Sequence, residues 1–555
     1  MTSFNLIREP WIPVTIGGSR SEVSLFDALA RSQEIDGLSL DDPLQAVALF
    51  RQVILPVALH AFGPPRGEKQ WQERWEAWSA TGVDQAQLGS YFTEHEMAFD
   101  LFDSTRPFAQ AAGLRTSKDE TKPVSVMMAT LASGNNVPLF SARTEANPPA
   151  LTPAEAVRAV LAAQCWDTAA IKSGAADDPQ AKAGKTTGNP TGPVGQLGVV
   201  IPLGQSLAQT LLLNSRIMRQ GLKLADKPQW ATTPRSGAWS TRPAEGILDL
   251  LTWQSRRIRL IPSQDEQGRT VVSEIVLTAG DRLQSLPLDV EPHTAWRIDP
   301  KPKADAPPRR PMRHQPGRAA WRGMTSLLAT KPVAGETESS SLLLSQLGSL
   351  QSGGFLPKGV RLQVLTAGVV YGNQSAVIED IISDSIPLPV AALAAESPVR
   401  ALLLEITQEA EELRHAANNL GDDLRRAGGA DKLPWDKGLR LGEALVMGFT
   451  PLVQRLLAGL QNEPQRIDDA SKAWRVSARS ASWAIGDQVL NSFASSTFAG
   501  RENSRDSKAS AGKVRPRRIC PSTAELNFRA ALNRILGPEE KADRQIPSSN
   551  SGVMA

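Results

Sequence analysis

The sequence predicts an α+β chain. A large mixed α/β N-terminal domain of unusual topology covers residues 1–388, and a C-terminal four-helix bundle covers 389–555. Three observations carry this reading. Short β-branched and aromatic runs alternate with helical patterns along the first two thirds of the chain. From about residue 390 the texture turns glycine-poor and Ala/Leu-rich, with periodic segments at 398–418, 440–462, 468–496 and 521–536. A length of 555 residues, 41% hydrophobic and 21% charged, is ordinary globular composition with room for more than one core.

The elements follow in order. Residues 4–16 (FNLIREPWIPVTI) read as a short strand, a turn and a second strand at a sheet edge, because two prolines interrupt the β-branched run. Residues 24–35 read as a helix opened by Ser24, with Asp27 where a capping box carries Glu. Asp42-Pro43 starts a second helix that runs to about His60. Trp71, Trp75 and Trp78 share one helical face and read as a packing stripe, not a stacking platform for bases. Thr152-Pro153 opens a helix over 152–171. Residues 172–204 hold seven glycines and three lysines without apolar periodicity, and read as a long glycine-rich loop. A helix at 206–219, a strand-like segment at 247–261 and an alternating strand at 270–278 follow. Strands 361–371 and 376–382 flank a turn.

Charge and cysteine content bound the function. Lys+Arg is 61 and Asp+Glu 58, a net charge of +3, which excludes a uniformly basic protein but permits local basic patches. Cys165 and Cys520 lie far apart and no CxxC occurs, so neither a zinc ribbon nor a disulfide framework is expected. The apolar stretch Leu44 to Phe62 is broken by Arg51, Pro56 and His60 and reads as a buried helix. No secretory signal is visible at the start. The expectation is a cytoplasmic protein with no membrane partner.

The enzyme motifs fail on inspection. Gly184-Lys185-Thr186 looks like the end of a phosphate-binding loop, but Pro179 stands where that loop needs glycine. His95-Glu96 is followed by Phe99 where HExxH needs histidine, and the five histidines have no partners at ligand spacing. Three loop-borne basic segments remain: 172–204; 297–322, with eight Lys/Arg and six prolines; and 501–518, with seven Lys/Arg against two acids. Lysine and arginine on such loops neutralise phosphates, and glycine lets backbone approach a groove closely.

The opening NLIREPWIPV (Asn5 to Val14) resembles the CasA family, the large subunit of the type I-E CRISPR surveillance complex Cascade. The resemblance continues through DPLQAVALFRQVIL (Asp42 to Leu55), RPFAQ (Arg106 to Gln110), LASGNNVPLF (Leu131 to Phe140) and LTPAEAVRAVLAAQ (Leu151 to Gln164). It goes on through IKSGAADDPQAKAGKTTG (Ile171 to Gly188), TLLLN (Thr210 to Asn214), GILDLLTWQSRRIRLIP (Gly246 to Pro262) and YGNQSA (Tyr371 to Ala376). Each motif is loose alone; their order across most of the chain is specific.

The resemblance implies a non-catalytic subunit with no cofactor and no metal. Such a subunit reads the protospacer-adjacent motif of double-stranded DNA from the minor groove and wedges the duplex open to start an R-loop. It also helps recruit the helicase-nuclease in antiviral defence. Its partners would be crRNA, the other Cascade subunits, target DNA and that nuclease. The glutamine wedge matches Asn373, Gln374 and Ser375, and the glycine loop matches Gly174, Lys185 and Gly188. The hairpin after Pro262, where the family carries a lysine finger, has no lysine; Arg269 is the available cation. Asn135, Asn136 and Phe140 match the loop that contacts crRNA and neighbouring subunits. In the C-terminal region Arg425, Arg426, Arg515, Arg517 and Arg518 are DNA candidates by charge. Two alternatives stay open: a scaffold that does not touch DNA, and a cryptic nucleotide hydrolase using Lys185 and Thr186.

Overall fold

A computed structural model describes residues 2–131, 149–299, 301, 309–329, 338–434, 440–493, 497–502 and 518–538. The chain divides into two compact units, residues 1–401 with 461–464, and residues 402–460 with 465–555. The division falls inside the helix Pro398–Ala427, beyond the change of sequence texture at 388/389. The intervening turn Val390–Leu393 stays with the first unit: an ideal Cβ on Gly348 would stand 2.7 Å from the Leu393 carbonyl oxygen.

The first unit opens with a three-stranded sheet. Strand β1 (Ile12–Ile16) lies between β2 (Ser19–Val23) and β3 (Ile35–Leu38), antiparallel to both. The expected strand–turn–strand at an edge is therefore one central strand preceded by a turn. Asn5 makes that turn, its side chain accepting the Ile7 amide at 3.0 Å and its carbonyl the Arg8 and Glu9 amides. The Ser24-capped helix is short, Leu25–Ala30. From Pro43 to Phe62 the chain is helical throughout, with a π-turn at Phe50–Ile54. It is long and apolar enough to span a membrane, yet 78% of its most apolar window is buried inside the fold. Its Arg51 is buried and pairs bidentately with Glu291 at 2.9 and 2.8 Å. The tryptophan stripe is core: Trp71, Trp75 and Trp78 are buried, and Trp71 donates to the Leu212 carbonyl at 3.0 Å.

Two further sheets carry the candidate site. In one, β10 (Thr270–Ala279) pairs along its length with β9 (Arg256–Gln264). It also pairs with β4 (Lys122–Pro123) and runs parallel to β5 (Lys172–Ser173), which pairs with β6 (Lys185–Thr186). In the other, β15 (Gln363–Tyr371) lies between β7 (Val199–Leu203) and β16 (Ile378–Pro387), antiparallel to both. Smaller pairings join β8 (Thr241–Arg242) to β11 (Arg282–Leu283), and β12 (Trp296–Ile298) to β13 (Arg309–Pro311) and β14 (Glu338–Ser339).

Several sequence expectations shift here. The segment 247–261 begins as a helix, Ile247–Leu251, because the Asp226 carboxylate accepts the Asp249 amide at 3.0 Å; the strand starts only at Arg256. The helix expected over 206–219 stops at Leu213, and the one over 152–171 stops at Trp166. The supposed loop 172–204 holds β5, β6, β7 and a 3-10 turn at Pro193–Gln196.

Four long helices dominate the described part of the second unit: Pro398–Ala427, whose first turn precedes the division, Leu441–Asn462, Ile467–Ser492 and Pro521–Leu536. Phe449 meets Trp474 edge-on at 5.2 Å, Trp474 donates to Glu409 at 2.7 Å, and Trp483 meets Phe528 at 5.7 Å. Strands β17 (Arg501–Glu502) and β18 (Arg518–Ile519) pair antiparallel.

Candidate nucleic-acid interface

The turn between β15 and β16 exposes Asn373 and Gln374. Gln374 sits at φ 53°, ψ 22°, and Ser375 follows at φ 56°. Two successive non-glycine residues in the left-handed region are strained, and such a turn persists only when its surroundings hold it. They do. The Ser375 amide donates to Gly372 O at 2.9 Å, the Ala376 amide to Asn373 O at 3.0 Å, and the Gly372 amide to Val377 O at 3.0 Å. From outside the turn, Ser375 O accepts the Ala169 amide at 2.9 Å. At the end of β15, the Tyr371 hydroxyl donates to Trp166 O at 2.6 Å. Gly195 permits this, because an ideal Cβ there would fall 2.2 Å from the Tyr371 oxygen.

Both outside contacts come from the segment 166–173, the end of the helix Pro153–Trp166 and the link to β5, which also starts the glycine-rich hairpin. Asp167 ends the preceding helix and is buried between Lys172, at 2.6 Å, and the Arg256 guanidinium. Burial alone would raise the Asp167 carboxyl, but the two cations overrule it and hold it down at about 2. Arg256 ties the loop further through Thr168 O at 2.9 Å and Pro190 O at 2.8 Å. The turn and the base of the glycine hairpin are thus fastened to one anchored segment.

The hairpin closes at Ala183 (φ 49°) and Gly184 (φ 73°), the positive pair of a type I′ connection. Lys182 and Lys185 flank it as a directly hydrogen-bonded pair, exchanging bonds of 2.8 and 3.0 Å. Both side chains are exposed. Like charges directly opposite one another weaken a hairpin unless an anion lies between them. Sequence reasoning selected Lys185 and missed Lys182; the symmetric spacing Lys-Ala-Gly-Lys around a two-residue turn is the signal that could have found it.

The two glycines separate. Gly188 is exposed at φ 68°, its backbone open to a ligand. Gly174 is buried instead: its amide donates to Gly184 O at 2.9 Å, and an ideal Cβ would lie 2.5 Å from that of Ala181. It closes the hairpin, where the glycine is required by packing. The hydrolase alternative also loses its geometry. Lys185 and Thr186 lie in a strand, not before a helix, and buried Thr186 donates to Asp178 at 3.2 Å. Among the described residues no group of three or more His, Cys, Asp or Glu could hold a metal.

Arg269 stands exposed at the tip of the β9–β10 hairpin, but it pairs with Asp265 at 2.8 Å. That tip lies about 25–30 Å along β10 from the point where β5 joins at Thr278. Arg269 is therefore apart from the other two loops and already neutralised. In the second unit Arg425 donates to Asp431 O at 3.0 Å, and Arg426 pairs with Asp423 at 3.4 Å. Both are half-buried and finish a helix end, whereas Arg518 is exposed on β18. Asn135, Asn136, Phe140, Arg515 and Arg517 lie outside the described residues.

The fold defines the class: the chain has the fold of CRISPR-associated large subunits. The crystal structure of Thermobifida fusca Cse1 matches with a TM-score of 0.81 at 29% identity, covering 96% of this chain and 98% of that one. A chain of a solved CRISPR RNA-guided surveillance complex shares the fold more distantly, with a TM-score of 0.60 at 19% identity over 97% of this chain and 96% of that one. Residues 5–485 match the family described as CRISPR-associated protein Cse1. CasA/Cse1 of Thermus thermophilus is 30% identical over 441 residues, 77% of this chain and 79% of its own length. The chain belongs to the CRISPR-associated Cse1 family.

Proposed function

We propose that this chain is the non-catalytic large subunit of a cytoplasmic, crRNA-guided surveillance complex of the Cascade type. In it the chain reads the protospacer-adjacent motif in double-stranded DNA from the minor groove and starts R-loop formation by wedging the duplex open. Its partners are crRNA, the other subunits, target DNA and the helicase-nuclease that it helps recruit. One observation carries the DNA-opening reading: the exposed, strained Asn373–Ser375 turn is held rigidly from behind by Tyr371–Trp166 and Ser375–Ala169. A polar tip that enters a base step must resist the push of the duplex, and backbone anchoring provides that resistance. On the hairpin whose base is tied to the same anchored segment, Lys182, Lys185 and Gly188 offer cations and open backbone to the phosphates.

The test is target binding by the reconstituted complex with Gln374→Ala. Loss of binding to a motif-bearing duplex, restored by a pre-melted bubble beside the motif, is the expected result. Unchanged binding to both would leave a scaffold that does not open DNA.

A further inference from the structure

A cleft of about 560 Å³ opens beside the turn. Ala376 and Ile378, from the return side of the hairpin, form one wall. Met127 and Met128 form another, and Ile171 stands at the lip, 62% exposed despite being apolar. Lys122 supplies a charge. The two carboxylates in the lining are already occupied. Asp167 is held by Lys172 and Arg256, and Asp42 caps a helix by accepting the Leu44 and Gln45 amides. Lys122 is thus the lining cation with no carboxylate partner recorded among the described residues.

We propose that this cleft receives a nucleobase of the target DNA, unpaired beside the turn. Met127, Met128 and Ile171 would lie against the base and Lys122 toward its phosphate. The inference rests on reading the Gln374 turn as strand-separating. Reach supports it: Ala376 is two residues past Gln374, so their Cα atoms are at most about 7.6 Å apart. That is roughly two steps of a stacked strand, at about 3.4 Å each. Size supports it, since the volume falls within the usual range of small-ligand sites. Chemistry supports it as well. A base that leaves its stack needs an apolar surface for its faces, and thioether sulfur adapts to planar rings without demanding a sequence. A wedge by itself lets the separated bases close again behind it; a receiving cleft removes one of them.

Permanganate, which oxidises unstacked thymines, tests this in the assembled complex. Target duplexes carry thymine at each of the first three positions beside the motif, either fully paired or pre-opened as a bubble. With the wild-type chain, one bubble thymine should be protected several-fold relative to free DNA. Ala170→Trp, which plugs the cleft, and Ile171→Asp, which makes its lip polar, should each restore its reactivity while the complex still assembles. Equal reactivity of all bubble thymines in the wild-type complex would overturn the proposal. So would a pattern that neither variant changes, or a plug that uncovers a guide uridine instead. On the paired duplex, complete absence of reactive thymines would refute the strand-opening reading; the bubble arm scores the cleft independently.

Discussion

The Tyr371 hydroxyl satisfies the carbonyl of Trp166, the last residue of the helix Pro153–Trp166, at 2.6 Å. Helix ends leave such carbonyls without intrahelical partners, and here the partner comes from the strand that carries the exposed turn. Tyr371→Phe should lower stability by about 1–2 kcal/mol, as a buried acceptor loses its donor. Opening of an intact duplex by the complex should fall further than binding to a pre-melted one. Denaturant titration and paired binding assays check both.

Lys182 and Lys185 should move stability and binding in opposite directions. Removing either charge relieves cross-strand repulsion and leaves the free chain unchanged or more stable by a few tenths of a kcal/mol. The slope of log affinity against log salt should shrink by roughly 0.9 for each lysine removed. A salt titration of complex bound to duplex DNA, with Lys182→Ala and Lys185→Ala, reads this directly.

Arg269 is the weak member of the set. Its pairing with Asp265 is exposed, and the Asp265 carboxyl is held below its usual range, first by the Arg269 amide. Arg269→Ala should change DNA affinity by less than about fivefold. Asp265→Asn, which keeps the turn's acceptor but removes its charge, should strengthen binding. The same salt titration distinguishes them.

Acid should unfold the first unit in two stages. Burial, and then the neighbouring His95, lower His60 from 6.5 to about 4. The unfolded state therefore binds more protons in that window, and stability falls as pH drops from 6.5 toward 4. Asp167 adds stability that is present above 3.8 and is lost as pH falls through about 2. His60→Asn should lessen the first stage, to which His95, His293 and His314, also lowered by burial, contribute, and Asp167→Asn should flatten the second, measured by denaturant midpoints across pH.

The two cysteines should differ sharply toward alkylation. Hydrogen bonds from Ser522 and Thr523 lower the Cys520 thiol to about 7, while burial pushes Cys165 up to about 12. Iodoacetamide should modify one thiol in the native chain, with a rate midpoint near pH 7, and Cys520→Ser should abolish that phase.

Much of the helical framework was legible because periodicity and caps are local. Ser24, Thr152-Pro153 and the tryptophan stripe all act as their spacing requires. The strand-like reading of Ile247–Leu251 failed because a short apolar run does not choose between helix and strand; the distant Asp226 chose. Two of the resemblance motifs carry structural arginines. Arg51 holds Glu291 in the core, and Arg106 donates to the Trp230 and Thr232 carbonyls at 2.6 Å. Gln374 was legible only through the resemblance, since Asn-Gln-Ser alone reads as a plain turn. The Asp167 cluster was invisible, because Arg256 lies 89 residues from Asp167 and nothing local marks Lys172 as its second cation. Gly174 and Gly188 looked alike, and only three-dimensional placement divides a hairpin closure from open backbone.

The left-handed conformation at Gln374 sets selection for robustness against selection for use. Glycine at this position would relieve strain of about 1–2 kcal/mol, partly offset by a freer unfolded chain. A library screened for thermal tolerance alone would therefore enrich Gln374→Gly, and its hardiest survivors would be blunt.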